Sequence, residues 1–188
     1  SEDNMTQKPI TSDIGYEISN PTGVSISPDG NLAVYGVSKP NMESGKLKNS
    51  LWIKDLNASE SAPRELTNGS SDGNPKFSPD GSSVAFLRAD SKGRNQIWVL
   101  HMSGGEAAVI TTLKESVRDF SWKPDSTGFA AVSDVDPETE GESDADQTNV
   151  ISITRIRYRH DELRWRGNRA TQIFDVDIVT KESKQITC

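Results

Sequence analysis

The chain has 188 residues, room for one domain or for part of a larger one. Its 21 Lys and Arg against 28 Asp and Glu leave a net charge of −7, which argues against a dedicated nucleic-acid binder because neutralising phosphates needs a basic excess. At 32% the hydrophobic fraction is lean, but the apolar residues fall in short alternating clusters unlike a disordered chain, and no apolar run approaches the roughly 18–20 residues that span a membrane.

No secretory signal is visible at the start, and a short helical turn is expected over residues 11–19. Residues 24–38 (VSISPDGNLAVYGVS) then read as an apolar strand, a turn at Ser27-Pro28-Asp29-Gly30 and a second alternating strand. The same sentence returns at 75–89 with Ser78-Pro79-Asp80-Gly81, and at 119–133 with Lys123-Pro124-Asp125-Ser126. Proline presets the dihedral of the second turn position, Asp bonds nearby backbone from the third, and Gly at the fourth permits a positive φ. Ser126 stands where the other copies have Gly, so the third turn is expected to differ slightly.

A second motif follows each turn: Leu51-Trp52-Ile53, Ile97-Trp98-Val99 and Ile173-Phe174-Asp175, each opening a strand with an aromatic in second place. A fourth short strand ends in Leu66-Thr67, Ile110-Thr111 or Ile186-Thr187. Four strands recurring every 40–50 residues or so have the size of one β-propeller blade. The fold class is therefore all-β: a partial β-propeller of about three four-stranded blades, over about 21–67, 72–111 and 117–187, with an insertion at 134–170 inside the third.

Within the insertion, seven of the 13 residues from 134 to 146 are Asp or Glu, which predicts a solvated surface loop. Asp144-Ala145-Asp146 is a fragment of calcium-loop spacing, but the Gly and closing Glu of such a loop are missing. Residues 151–169 place Arg155, Arg157 and Arg159 on one face of a strand, with Ile156 and Tyr158 opposite. Such arginines can neutralise the acidic run, contact a second domain or subunit, or bind a peptide carboxylate through their planar forks. His101 takes the repeat position of Asp55 and Asp177, so it is expected at the surface; His160 reads as a loop residue, and Gly104-Gly105 as a hairpin turn. The single cysteine, Cys188, excludes an intrachain disulfide, and with two histidines no metal site is expected.

The SPDG turns, the Ile-Trp-Val strand and its Leu-Thr or Ile-Thr ending resemble the repeats of TolB-type propellers. With the segment Ile153-Thr154-Arg155-Ile156-Arg157-Tyr158-Arg159-His160-Asp161, the chain is more similar to the N-terminal propeller of prolyl oligopeptidase family serine peptidases, acylaminoacyl-peptidase branch. It departs from that pattern after the arginines, reading Asp161-Glu162-Leu163-Arg164-Trp165-Arg166-Gly167 where an Asp-Gly-x-Gly turn is usual. The resemblance implies that this is the opening part of a peptidase acting on short peptides, with the propeller gating access. It also implies that the Ser-Asp-His triad lies on an α/β-hydrolase domain outside these residues, whose Gly-x-Ser-x-Gly elbow the chain is read as lacking. No catalytic residue and no cofactor is therefore expected in the chain, and Arg155, Arg157, Arg159 and Tyr158 are the candidates for contact with substrate or hydrolase domain. The alternative is a non-catalytic TolB-like module that binds protein. Three blades do not close a ring, so self-association through the open blade faces is expected, two copies sufficing for six blades. A cytoplasmic location, with neither nucleic acid nor membrane as partner, completes the expectation.

Overall fold

A computed structural model describes residues 20–41, 45–58, 60–135 and 170–187. The helical turn expected over 11–19 and the strand expected over 151–159 lie outside them. The described residues form twelve strands. Sheet I contains β1 (Asn20–Ile26), β2 (Leu32–Pro40), β3 (Leu47–Asp55) and β4 (Arg64–Glu65). Sheet II contains β5 (Gly73–Phe77), β6 (Ser83–Ala89), β7 (Asn95–His101) and β8 (Ala108–Val109). Sheet III contains β9 (Val117–Trp122), β10 (Gly128–Val135), β11 (Ala170–Asp177) and β12 (Ser183–Gln185). Each sheet is antiparallel with its strands in chain order, as four-stranded blades require.

The first hairpin of each sheet is set by its proline turn. The fourth residue donates its N–H to the carbonyl of the first: Gly30 to Ser27 at 2.8 Å, Gly81 to Ser78 at 2.9 Å, Ser126 to Lys123 at 3.0 Å. Gly30 and Gly81 have φ of 76° and 73°, and Ser126 adopts 60°. The third turn therefore keeps the geometry of the others, against expectation, and Ser126 carries a left-handed conformation that disfavours a side chain. Its hydroxyl recovers a contact by accepting the Asp80 N–H of sheet II at 3.2 Å.

Alternation within the strands sends successive residues to opposite faces. We call the face toward the preceding sheet the front and the face toward the following sheet the back. The back of sheet I (Val34, Leu51, Ile53) packs on the front of sheet II (Phe77, Val84, Phe86, Leu100). The back of sheet II (Ala85, Ile97, Val99, Ile110) packs on the front of sheet III (Phe120, Phe129, Val176). The middle sheet is covered on both sides, so Ser83 through Leu87 of β6 are all buried. Phe120 and Phe129 meet edge to face at 5.6 Å, and Trp122 lies 4.3 Å from Phe129, centroid to centroid. Burying a side chain of this size contributes about 1.5–3 kcal/mol over leaving it in water. Sheets II and III are also pinned at their inner strands, where Lys76 pairs with Asp119 at 2.8 Å and Trp122 Nε1 donates to the Lys76 carbonyl at 2.9 Å.

Two faces lack a neighbour among the described residues. Ile26, at the front of sheet I, is 56% exposed, whereas its counterpart Phe77 in sheet II is 8% exposed. Ile173, at the back of sheet III, is 38% exposed, whereas its counterpart Ile97 is fully buried.

Candidate functional site

The predicted site residues Arg155, Arg157, Tyr158 and Arg159, with His160, lie outside the described residues. His101 stands exposed as expected, its Nδ1 2.9 Å from the Ser83 hydroxyl. Gly104 and Gly105 hold φ of 110° and 106° in the β7–β8 connection, a hairpin turn that only glycine adopts without strain. Among the described residues no three His, Cys, Asp or Glu side chains stand together as a metal ion would need.

The threonine that ends each repeat has a defined task. Its hydroxyl accepts the first N–H of the aromatic motif: Leu51 to Thr67 at 3.0 Å, Ile97 to Thr111 at 2.9 Å, Ile173 to Thr187 at 2.8 Å. The same hydroxyl then donates onward. In sheets II and III the acceptor is a glutamine, Gln96 at 2.8 Å and Gln172 at 2.5 Å. Sheet I has Ser50 at that place, and Thr67 turns instead to Asp72 at 2.5 Å.

Asp72 is the one buried carboxylate among the described residues: its side chain is fully out of solvent. Arg88 on β6 neutralises it with two hydrogen bonds, Nε to Oδ1 at 2.6 Å and Nη2 to Oδ2 at 2.8 Å. Hydrogen bonding to Asp72 raises the Arg88 pKa above its ordinary value, against the opposing pull of burial. The guanidinium also lies 4.8 Å from the Trp98 ring and 5.2 Å from the Phe86 ring, a cation–π arrangement. Beside this pair, a cleft of about 540 Å³ opens between the outer strands of sheets I and II, lined by Glu65, Thr67, Asn68, Arg88, Trp98 and Glu106 among others. The Trp98 indole N–H is buried and has no hydrogen-bond partner, whereas Trp52 donates to Ser50 at 3.2 Å. Gln96 replaces that serine in sheet II, and its side-chain carbonyl is already committed to Thr111 and the Leu113 N–H.

Contrary to the reading of the sequence given above, the letters Gly-x-Ser-x-Gly occur once, as Gly69-Ser70-Ser71-Asp72-Gly73. Their surroundings are not those of a nucleophile elbow. They join β4 to β5 rather than a strand to a helix, and the Ser71 hydroxyl accepts the Ala89 N–H at 3.1 Å. The first glycine is required because a Cβ at Gly69 would collide with the Asp72 carboxylate. The motif is a consequence of the buried Asp72.

No protein-family model matches the chain. Two curated relatives do. The uncharacterized peptidase YuxL of Bacillus subtilis is 26% identical over 189 residues, which cover 96% of this chain and 28% of the relative. Dipeptidyl-peptidase 5 of Porphyromonas endodontalis is 25% identical over 142 residues, 73% of this chain and 20% of the relative. The similarity is to the propeller part of prolyl oligopeptidase family peptidases.

The chain thus spans between a fifth and three tenths of these peptidases. Solved structures share the fold. The Pyrococcus horikoshii acylaminoacyl peptidase superposes with a TM-score of 0.73 at 22% identity, covering 92% of this chain and 26% of that one. The β-propeller domain of the trilobed protease from Pyrococcus furiosus gives 0.58 at 21% identity, covering 89% and 42%. TolB from Acinetobacter baumannii gives 0.56 at 18% identity, covering 88% and 32%. The described residues are therefore β-propeller blades, and among them no helix is long and apolar enough to cross a membrane.

Proposed function

We propose that the chain is the N-terminal propeller portion of a serine hydrolase of the acylaminoacyl-peptidase or dipeptidyl-peptidase kind, in which the propeller admits only short peptides to a triad on a separate domain. The observation that carries this reading is the match to a peptidase along 96% of the chain and 28% of the relative, which leaves room in such a peptidase for further blades and a hydrolase domain. The described residues supply no activated nucleophile of their own. Ser71 is engaged with backbone, and Ser83, the serine that bonds His101, is buried. The reaction would proceed through a covalent acyl-enzyme on the separate domain. Arg155, Arg157, Arg159 and Tyr158 are the residues proposed to contact substrate or that domain, with bidentate arginine–carboxylate pairing as the chemistry.

The test is activity-based labelling in native cells. A fluorophosphonate should label a polypeptide that carries the peptides of this chain and is several times heavier than 20.6 kDa. The isolated 188-residue chain should remain unlabelled. A native polypeptide that carries these peptides but does not react would favour the second reading, a non-catalytic protein-binding module, for which the likeness to TolB speaks.

A further inference from the structure

The chain contains four Asx-Gly pairs, at 29–30, 68–69, 72–73 and 80–81, and Asn68-Gly69 is the one that begins with asparagine. Asparagine is a thermolabile residue. Before glycine its side-chain carbonyl carbon is open to attack by the next backbone nitrogen, because glycine has no Cβ to obstruct the approach or to restrict the dihedrals. The fold decides which pair is left free to react.

Gly30 and Gly81 donate their N–H to the carbonyls of Ser27 and Ser78 at 2.8 and 2.9 Å. The Asp29 and Asp80 carboxylates are held by the hydroxyls of the same two serines, each at 2.5 Å. Asp72 is buried and bound by Thr67 and Arg88. Asn57, exposed and followed by Ala58, spends its side-chain amide on Asn31 at 2.7 Å. Asn68 is exposed, and neither it nor Gly69 makes a hydrogen bond among the described residues. Their neighbours in the connection from β4 to β5 are tied. The Thr67 hydroxyl accepts the Leu51 N–H, the Ser70 carbonyl accepts the Asn49 N–H, and the Asp72 N–H reaches the Asn49 carbonyl, each at 3.0 Å. The untied backbone is thus confined to the two residues whose chemistry needs that freedom.

We propose that Asn68 is a site of spontaneous deamidation, and that its conversion loosens the junction between sheets I and II. The Gly69 nitrogen bonds to the Asn68 side-chain carbonyl carbon as the bond to Nδ2 breaks, and the amide proton leaves with Nδ2 as ammonia. Water then opens the five-membered imide at one carbonyl or the other, giving aspartate or isoaspartate. Water is the sole co-reactant. The isoaspartate form adds one carbon to the main chain just before Gly69. Gly69 packs so closely on the Asp72 carboxylate that it has no room for a Cβ. A longer chain at that point displaces the carboxylate that Arg88 holds at 2.6 and 2.8 Å. The inference does not rest on the peptidase reading, since it follows from this junction alone.

The experiment follows the native polypeptide that carries this chain, kept in warm, mildly alkaline buffer and sampled over time by tryptic digestion and mass spectrometry. The tryptic peptide 65–76 contains both Asn68 and Asn74. Asn74 precedes Pro75, whose nitrogen has no proton to give up, so it is an internal control. The mass gain of an amide turned to an acid should appear at Asn68 and not at Asn74, mostly as isoaspartate, at a rate close to that of the same peptide free in solution. The melting temperature should fall as conversion proceeds. Asn68→Gln should keep the starting melting temperature and show neither change. An Asn68 that stays an amide in the folded polypeptide while the free peptide converts overturns the proposal. So does a melting temperature that conversion leaves unchanged, or one that fresh Asn68→Asp lowers as far, since that variant carries the charge without the extra carbon.

Discussion

Arg88 and Asp72 form a two-point ion pair, 2.6 and 2.8 Å, in which the Asp72 side chain is fully buried and the Arg88 side chain four-fifths buried. Asp72 sits in the connection between sheets I and II, and Arg88 on the second strand of sheet II, so the pair fastens the junction to the sheet it leads into. Such a pair is expensive to break from one side. Arg88→Met should lower stability by about 3 kcal/mol, because it strands a buried carboxylate. Adding Asp72→Ala to Arg88→Met should return part of that loss, as urea midpoints would show; a double variant less stable than the single would contradict it.

The proline turns predict a defined acid response. Asp80 is held down to about 2, chiefly by the Ser78 hydroxyl and then by the Ser82 N–H and hydroxyl. Asp29 and Asp125 are lowered likewise, each first by a neighbouring hydroxyl, Ser27 and Thr127 respectively. A carboxylate lowered on folding stabilises the native state above its unfolded pKa and loses that contribution as pH falls through the folded value. The contribution of these turns should therefore be level above about pH 5 and fall between about 5 and 2. Asp80→Asn should flatten the lower part of this limb in a pH series of thermal melts.

Ser126 tests the cost of its backbone conformation. Gly30 has φ of 76° and nothing within 4 Å of a built Cβ, so Gly30→Ala isolates the conformational penalty, about 1 kcal/mol. At Ser126 the hydroxyl bond to the Asp80 N–H offsets the same penalty. Ser126→Gly should accordingly be near neutral, whereas Ser126→Ala, which keeps the strain and loses the bond, should cost about 1 kcal/mol. Thermal unfolding of the three variants side by side gives the ranking.

The terminal threonines should differ by location. Thr111 is fully buried, accepts the Ile97 N–H and donates to Gln96. Thr111→Val keeps the shape and orphans both partners, with an expected loss of about 2 kcal/mol. Thr187 does the same for Ile173, but on an exposed face where water can replace it. Thr187→Val should cost less than half as much; equal losses at the two sites would refute the role assigned to burial.

Much of this fold is local and was legible in the letters. Proline, Asp and Gly fix a turn within four residues, and period-two alternation fixes which side chains share a face, so three copies of one four-strand sentence announce three sheets without any tertiary information. The likeness to peptidase propellers rests on the same repeats. Two things were decided only by the packed structure, because each depends on residues distant in the chain. Ser126 keeps a glycine's conformation because Asp80, 46 residues away, offers its N–H across the sheet interface. Asp72 is one acid among many in the letters, and only Arg88 and Thr67 closing around it make it the buried carboxylate of the junction. Sequence periodicity determines the faces of a sheet; which face is covered, and by what, is a property of the stack.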